Sequence, residues 1–202
     1  MRFGRTLVVQ MKLMVLDPEK PSDTSISEVV DVLSMEGVIV YPTDTVYGLG
    51  CVLEKNPVAR VYEMKGRPEG MPLSIAFSDM KMVRHYTVLG EGEEQFIDEH
   101  YRDPHTFIVH KNSRIPDFVT AGGNTVGVRI PDNEVCRRII RRLGEPITTT
   151  SANISGRMPP ASMGDLSREI ADAVDLVVDS GACGSGTPSR IIDLTERGRV
   201  VR

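Results

Sequence analysis

Apolar residues fall on every second position through Leu7, Val9, Met11, Leu13 and Val15, the alternation of a half-buried strand with those five side chains facing inward. The period then changes. Ile26, Val29, Val30 and Leu33 recur at helical spacing, Ser25 stands where an N-cap would with Glu28 completing a capping box, and Gly37 offers a stop. Residues 38–41 form a short apolar run closed by Pro42, which reads as a buried strand. The same reading predicts helices near 57–65, 93–101, 133–143 and 164–173. It predicts strands near 73–77, 106–110, 126–129, 147–150 and 176–179, with two short strands near Ile191 and Val200. Strands interleaved with helices predict an α/β or α+β fold, a twisted mixed sheet with helices packed around it. With no internal repeat and no low-complexity linker, residues 1–202 are expected to form one domain.

Composition narrows the function classes. A net charge of −4 argues against a uniformly basic nucleic-acid binder, so an anionic ligand would have to meet a local basic patch. Cys51, Cys136 and Cys183 are widely spaced and odd in number, which supports neither a disulfide framework nor a Cys-x-x-Cys metal site and fits a reducing compartment. Gln10 and Lys12 interrupt the apolar start, no small-residue cleavage pattern follows, and no stretch approaches the ~20 apolar residues that span a bilayer. A cytoplasmic protein without membrane contact is expected.

Two short strings carry the candidate chemistry. Lys65-Gly66-Arg67 offers two cations after a helix, and Pro68 and Pro72 make the segment that follows a rigid loop. Ser151-Ala152-Asn153 leaves a strand as part of a run of hydroxyl and amide side chains that begins at Thr148. Fixed cations beside neutral donors suit phosphoryl or nucleotidyl transfer, where charge builds on oxygens that must be oriented. The string PTDTVYGLG at 42–50 places hydroxyls, a tyrosine and two glycines at a strand exit, as a ligand-gripping turn or a helix N-terminus would. GACGSGTPS at 181–189 lacks the ending of a P-loop and precedes a strand, so it reads as a covering or hairpin-like loop. Arg137, Arg138, Arg141 and Arg142 line one side of a helix whose other side is apolar, which is ordinarily a wet face and less often an RNA contact. The histidines at 85, 100, 105 and 110 show neither a metal-ligand motif nor a Gly-x-Ser-x-Gly nucleophile nearby.

Taken in order, PTDTVYGLG, KGRP at 65–68, PLSI at 72–75, DPHT at 103–106, TVGVRIP at 125–131, SANISG at 151–156 and PSRIID at 188–193 resemble the YrdC-like family of threonylcarbamoyl-AMP synthases. The resemblance implies a twisted α/β sheet with a basic concave cavity. It implies synthesis of threonylcarbamoyl-AMP and pyrophosphate from L-threonine, bicarbonate or CO2, and ATP with magnesium, in supply of downstream tRNA threonylcarbamoyl transferase proteins. Matched motif by motif, the family's catalytic tetrad corresponds to Lys65, Arg67, Ser151 and Asn153. ATP is expected against Lys65, Arg67, Thr125, Ser151, Asn153, Pro159 and Arg202, threonine against Thr43, Arg129, Thr149 and Ser189, with Tyr47 as a cavity wall. No protein-borne metal is implied. The chain departs from the family at Met71, where asparagine is common, at Ala76, where many members carry histidine, and at Asp103 within Arg102–Thr106, where the family has Pro-Gly-Pro-x-Thr. Longer members append a C-terminal domain, for which a chain ending at Arg202 has no room. The rival reading is a double-stranded RNA or tRNA-binding translation or ribosome-assembly factor using the same cavity; even for the enzyme, weak RNA binding is expected.

Overall fold

The computed structural model describes residues 12–68, 70–196 and 199–201. Its elements run β1 (Leu13–Val15), α1 (Asp23–Ser34), β2 (Ile39–Tyr41), β3 (Gly48–Gly50), α2 (Lys55–Lys65), β4 (Ser74–Ala76), α3 (Met80–Tyr86), β5 (Thr87–Val88) and α4 (Glu91–His100). They continue with β6 (His105–Lys111), β7 (Thr125–Arg129), α5 (Glu134–Leu143), β8 (Ile147–Ser151), α6 (Arg168–Ala173), β9 (Leu176–Asp179), β10 (Arg190–Asp193) and β11 (Arg199–Val200).

The strands join in the order β1-β9-β2-β3-β8-β4-β7-β6-β10-β11, with β5 paired to β6. The sheet is mixed: β4 runs parallel to β7 and antiparallel to β8, for example. Because successive side chains on a strand point to opposite faces, the sheet makes two cores. On one face Val40, Leu49, Ile75, Phe107, Val109, Val128 and Val177 meet Val58 and Val61 of α2, Ile97 of α4 and Ile170 of α6. On the other, Ile39, Tyr41, Ala76, Ile147, Leu176 and Val178 meet Ile26, Val29 and Leu33 of α1 and Val135, Cys136, Ile139 and Ile140 of α5. Each such Val, Leu, Ile or Phe side chain contributes ~1.5–3 kcal/mol by leaving water. Beyond α1 and α5, this second face turns polar.

Several expectations need correction. Of the opening strand, Leu7, Val9 and Met11 lie outside the described residues; in β1 the phase is inverted, with Leu13 (47%) and Val15 (73%) exposed and Met14 packed against the α1/α5 core. Parallel pairing with β9 and packing on α1 decide which face turns in. Helix α1 is capped by Ser22, not Ser25: the Ser22 hydroxyl accepts from the Ser25 N–H at 3.1 Å, one turn earlier than the apolar period suggests. The helix expected near 164–173 divides into a 3-10 turn at Met163–Asp165 and α6, which Ser167 caps afresh. Elements β3, α3 and β5 were not anticipated. In β3 the glycines make room for an aromatic ring: a Cβ on Gly50 would stand 2.7 Å from Tyr41 Cε1 and 2.8 Å from the Thr148 carbonyl oxygen.

Candidate active site

The polar part of the second face is built by register. Strands β8, β4, β7 and β6 send Thr148, Ile75, Val128 and Phe107 into the first core or the buried strand layer. Their neighbours Thr149, Ser151, Ser74, Arg129 and Thr106 consequently face the opposite side, where they line one pocket of about 140 Å³. Ser74 lies beside Thr149 on one flank and Gly127 on the other. A Cβ on Gly127 would stand 2.5 Å from Ser74 Oγ, so glycine keeps the floor level there. The turn after β2 adds Thr43, Val46 and Tyr47, β3 adds Gly48, the segment before β10 adds Pro188 and Ser189, and Arg67 reaches in from beyond α2.

Arg129 is 7% exposed. Its Nη2 donates to Asp44 Oδ1 at 2.8 Å and to Thr45 Oγ1 at 2.6 Å, so the buried cation is paired along part of its rim. Thr43 Oγ1 donates to the Val46 carbonyl at 2.6 Å and accepts from the Thr45 N–H at 3.2 Å, which fixes the turn that carries Asp44. Across the pocket Ser189 Oγ and Thr106 Oγ1 are 2.7 Å apart. The Tyr47 hydroxyl sits 2.6 Å from the Gly181 carbonyl and 2.9 Å from Asp179 Oδ1, and burial raises its pKa above the ordinary phenol value. The 181–189 loop lies over the 43–46 turn: Ser185 N–H donates to the Asp44 carbonyl at 3.2 Å and Gly186 N–H to that of Thr45 at 2.9 Å.

The residues around the Lys-x-Arg string divide in two directions. Arg67 lines the pocket while its Nε donates to the Met71 carbonyl at 3.1 Å and its Nη2 to that of Pro72 at 2.8 Å. Lys65, expected to face ATP, is instead 2% exposed and outside the pocket wall. Its ammonium donates to the backbone carbonyls of Ser151 and, at 2.7 Å, Asn153. Burial, and then the like charge of Arg67, pull its pKa down to about 8. Asn153 is also turned away from the expected role: its Nδ2 donates to the carbonyls of Ile154 (2.9 Å) and Arg157 (2.7 Å), and Oδ1 is buried with no hydrogen-bond partner.

Of the residues expected in the site, Thr43, Tyr47, Arg67, Arg129, Thr149, Ser151 and Ser189 meet at the pocket. Thr125 starts β7 two register positions from Gly127 on the face that carries Arg129, but it does not line the pocket, and neither does half-buried Pro159. Arg202 lies outside the described residues. Sequence reasoning did not single out Asp44, Thr45, Ser74 or Thr106, although each falls inside a string it quoted; their hydroxyls and carboxylate become informative only once the register brings them together. Two of the α5 arginines make contacts within the fold, and Arg141 and Arg142 are exposed. Arg137 pairs with Asp132 at 3.2 Å, and Arg138 donates to Asp23 and, at 2.6 Å, to the Pro21 carbonyl. Asp44, the carboxylate beside the pocket, is committed to Arg129, and among the described residues no group of three or more His, Cys, Asp or Glu is placed to hold a metal ion. No helix of the described residues is long and apolar enough to cross a membrane.

Comparison with known proteins places this geometry. The family model of Sua5, YciO and YrdC, described as "Telomere recombination", matches residues 31–202. The threonylcarbamoyl-AMP synthase of Pyrococcus abyssi is 34% identical over 161 residues, 79% of this chain and 47% of that protein, so this chain spans about half its length. The structure of P. abyssi Sua5 complexed with L-threonine superposes with a TM-score of 0.83 at 30% identity, covering 91% of this chain and 54% of that one. The structure of E. coli YciO superposes with a TM-score of 0.85 at 28% identity and covers 96% of this chain and 95% of that one. With the family model matching residues 31–202 and the fold shared with both solved structures, this chain belongs to the Sua5/YciO/YrdC family.

Proposed function

We propose that this protein is a nucleotidyltransferase that makes threonylcarbamoyl-AMP from L-threonine, bicarbonate or CO2, and ATP, releasing pyrophosphate. The observation that carries the reading is the convergence of Arg129, Arg67 and the hydroxyls of Thr43, Thr149, Ser151 and Ser189 on one pocket. The names of relatives support it. At about 140 Å³ the pocket is below the ~300–1,000 Å³ that enclose drug-sized ligands, so it suits an amino acid and the reacting phosphate, with the rest of the nucleotide along the open side by Arg67.

In this reading the free edge of Arg129 takes the threonine carboxylate, and the surrounding hydroxyls orient its amine and hydroxyl. The amine and CO2 form a carbamate with loss of a proton. A carbamate oxygen then attacks the α-phosphorus of ATP, the bond to the bridging oxygen breaks, and pyrophosphate leaves with that electron pair. An anionic nucleophile needs no general base at this step; alignment and charge neutralisation supply the rate, which is the work of Arg67 and the pocket hydroxyls. Magnesium would arrive with ATP, held chiefly by its phosphates, a common arrangement for this cation, and would offset phosphate charge. Threonylcarbamoyl transferases acting on tRNA would consume the product.

Pyrophosphate release tests the reading: it should require ATP, threonine and bicarbonate together. Serine should be the poorer substrate by ~10–200-fold, the worth of one methyl group in a pocket. Release undiminished by omission of threonine would refute it.

A further inference from the structure

Lys65 and Arg67 stand on either side of Gly66, yet the helix end sends them opposite ways. Lys65 is the last residue of α2, and Gly66 caps the helix in the left-handed conformation (φ 54°). That turn brings Arg67 to the pocket and leaves Lys65 pointing into the protein. There the ammonium meets backbone carbonyls of the 151–153 segment, and the contact is returned: the Ser155 N–H donates to the Lys65 carbonyl at 2.8 Å. The segment so held includes Ser151, which lines the pocket, and Asn153, whose own amide folds back on Ile154 and Arg157. Ala152 N–H is tied in turn to the Tyr47 carbonyl at 2.9 Å, so clasp and pocket wall are continuous.

We propose that Lys65 is a positioning residue, a clasp that joins the end of α2 to the 151–155 segment before any ligand binds, and that Arg67 alone of the two cations meets the phosphates. Two of the three ammonium protons are spent on carbonyls. Charge-assisted bonds of this kind are about twice as strong as neutral ones. The spacing Lys-x-Arg is then explained by the glycine between them: one cation sets the wall and the next enters the site. The clasp concerns the ligand-free chain and stands independently of the adenylate reading, whereas the part given to Arg67 rests on that reading.

Amide hydrogen exchange of the ligand-free full chain is the test, with inorganic pyrophosphate as the ligand in a calorimetric arm. In the wild type the Ala152 and Ser155 amides should exchange at least ~100-fold more slowly than an unstructured chain, as tethered loops do. Lys65→Met should speed exchange across residues 151–157 by at least tenfold while β7 and α5 keep wild-type protection. Arg67→Met should leave ligand-free exchange at the wild-type level and weaken pyrophosphate binding more than tenfold. A Lys65→Met chain with unchanged exchange but equally weakened pyrophosphate binding would make Lys65 a direct phosphate ligand and overturn the proposal. Should that variant fail to fold, the wild-type measurement decides: unprotected Ser155 and Ala152 amides would refute the clasp, and protected ones together with the Arg67→Met result would support it.

Discussion

Arg129 illustrates how a buried cation can be both paired and available. Asp44 and Thr45 take Nη2, which neutralises the guanidinium and holds its plane, and on the proposed reading the remaining edge takes the threonine carboxylate. Removing one member of a buried pair costs ~3–5 kcal/mol because the other charge stays behind. Asp44→Ala should therefore lower the thermal midpoint by roughly 10 °C, at the ~2–4 °C per kcal/mol usual for a chain of this size. A midpoint within a degree or two of wild type, read by calorimetry, would show that the pair carries little of the fold. Lys65 makes a second prediction, in pH. Its pKa of about 8 in the folded chain lies below its ordinary value of 10.5, so between those values the folded state binds fewer protons than the unfolded one. Lys65 therefore contributes stability that grows as pH rises from about 8 to about 10.5. Nucleotide binding should trend the other way: a polyanion beyond the wall favours the charged ammonium, so affinity is full below pH 8 and declines above it. Urea titrations and calorimetry across pH 7–10 would check both signs; parallel trends would contradict the assignment.

At the scale of elements, helices of ten residues or more were legible: α2, α4 and α5 stand within two residues of their expected starts and ends. The short pieces were not. Elements β3 and α3 carry two glycines and a mixed MKMVRHY run, respectively, and exist because a partner strand or core receives them. The phase of β1 was misread for the same reason, since alternation reports two faces without saying which one a helix will cover. In the site, residues in dense polar strings were found, whereas Ser74 and Thr106 sit singly in apolar strands and gain meaning only from their neighbours across the register. Lys65 and Asn153, expected against ATP, spend their polar atoms on backbone carbonyls in the ligand-free chain, a direction that the spacing of residues does not carry. Two substitutions test this level. Gly50→Ala should destabilise by ~1–3 kcal/mol through its clash with the Tyr41 ring, and an unchanged denaturation midpoint would show that the ring can move. Arg138→Ala removes contacts to Asp23 and Pro21 at the start of α1, so it should lower stability slightly and leave pyrophosphate release at the wild-type rate.

For the molecule as a whole, the division of one sheet face between helical cover and open pocket is what brings Arg67 and Arg129 together at one pocket in a chain of net charge −4. Occupancy of that pocket should stabilise the whole fold: threonine with ATP, each at ~100 times its Kd, should add at least ~2.7 kcal/mol by mass action. Arg67→Ala should cut turnover more than tenfold with little change in the ligand-free midpoint, because its lost interactions bear on the transferred phosphate. Mass spectrometry of the full chain incubated with ATP, magnesium, threonine and 13C-bicarbonate would show which atoms join. The expected result is an adenylate whose mass contains AMP, threonine and one labelled carbon, and which disappears when threonine or bicarbonate is omitted; ATP consumed at an undiminished rate without threonine, or an adenylate lacking the labelled carbon, would contradict the proposed function.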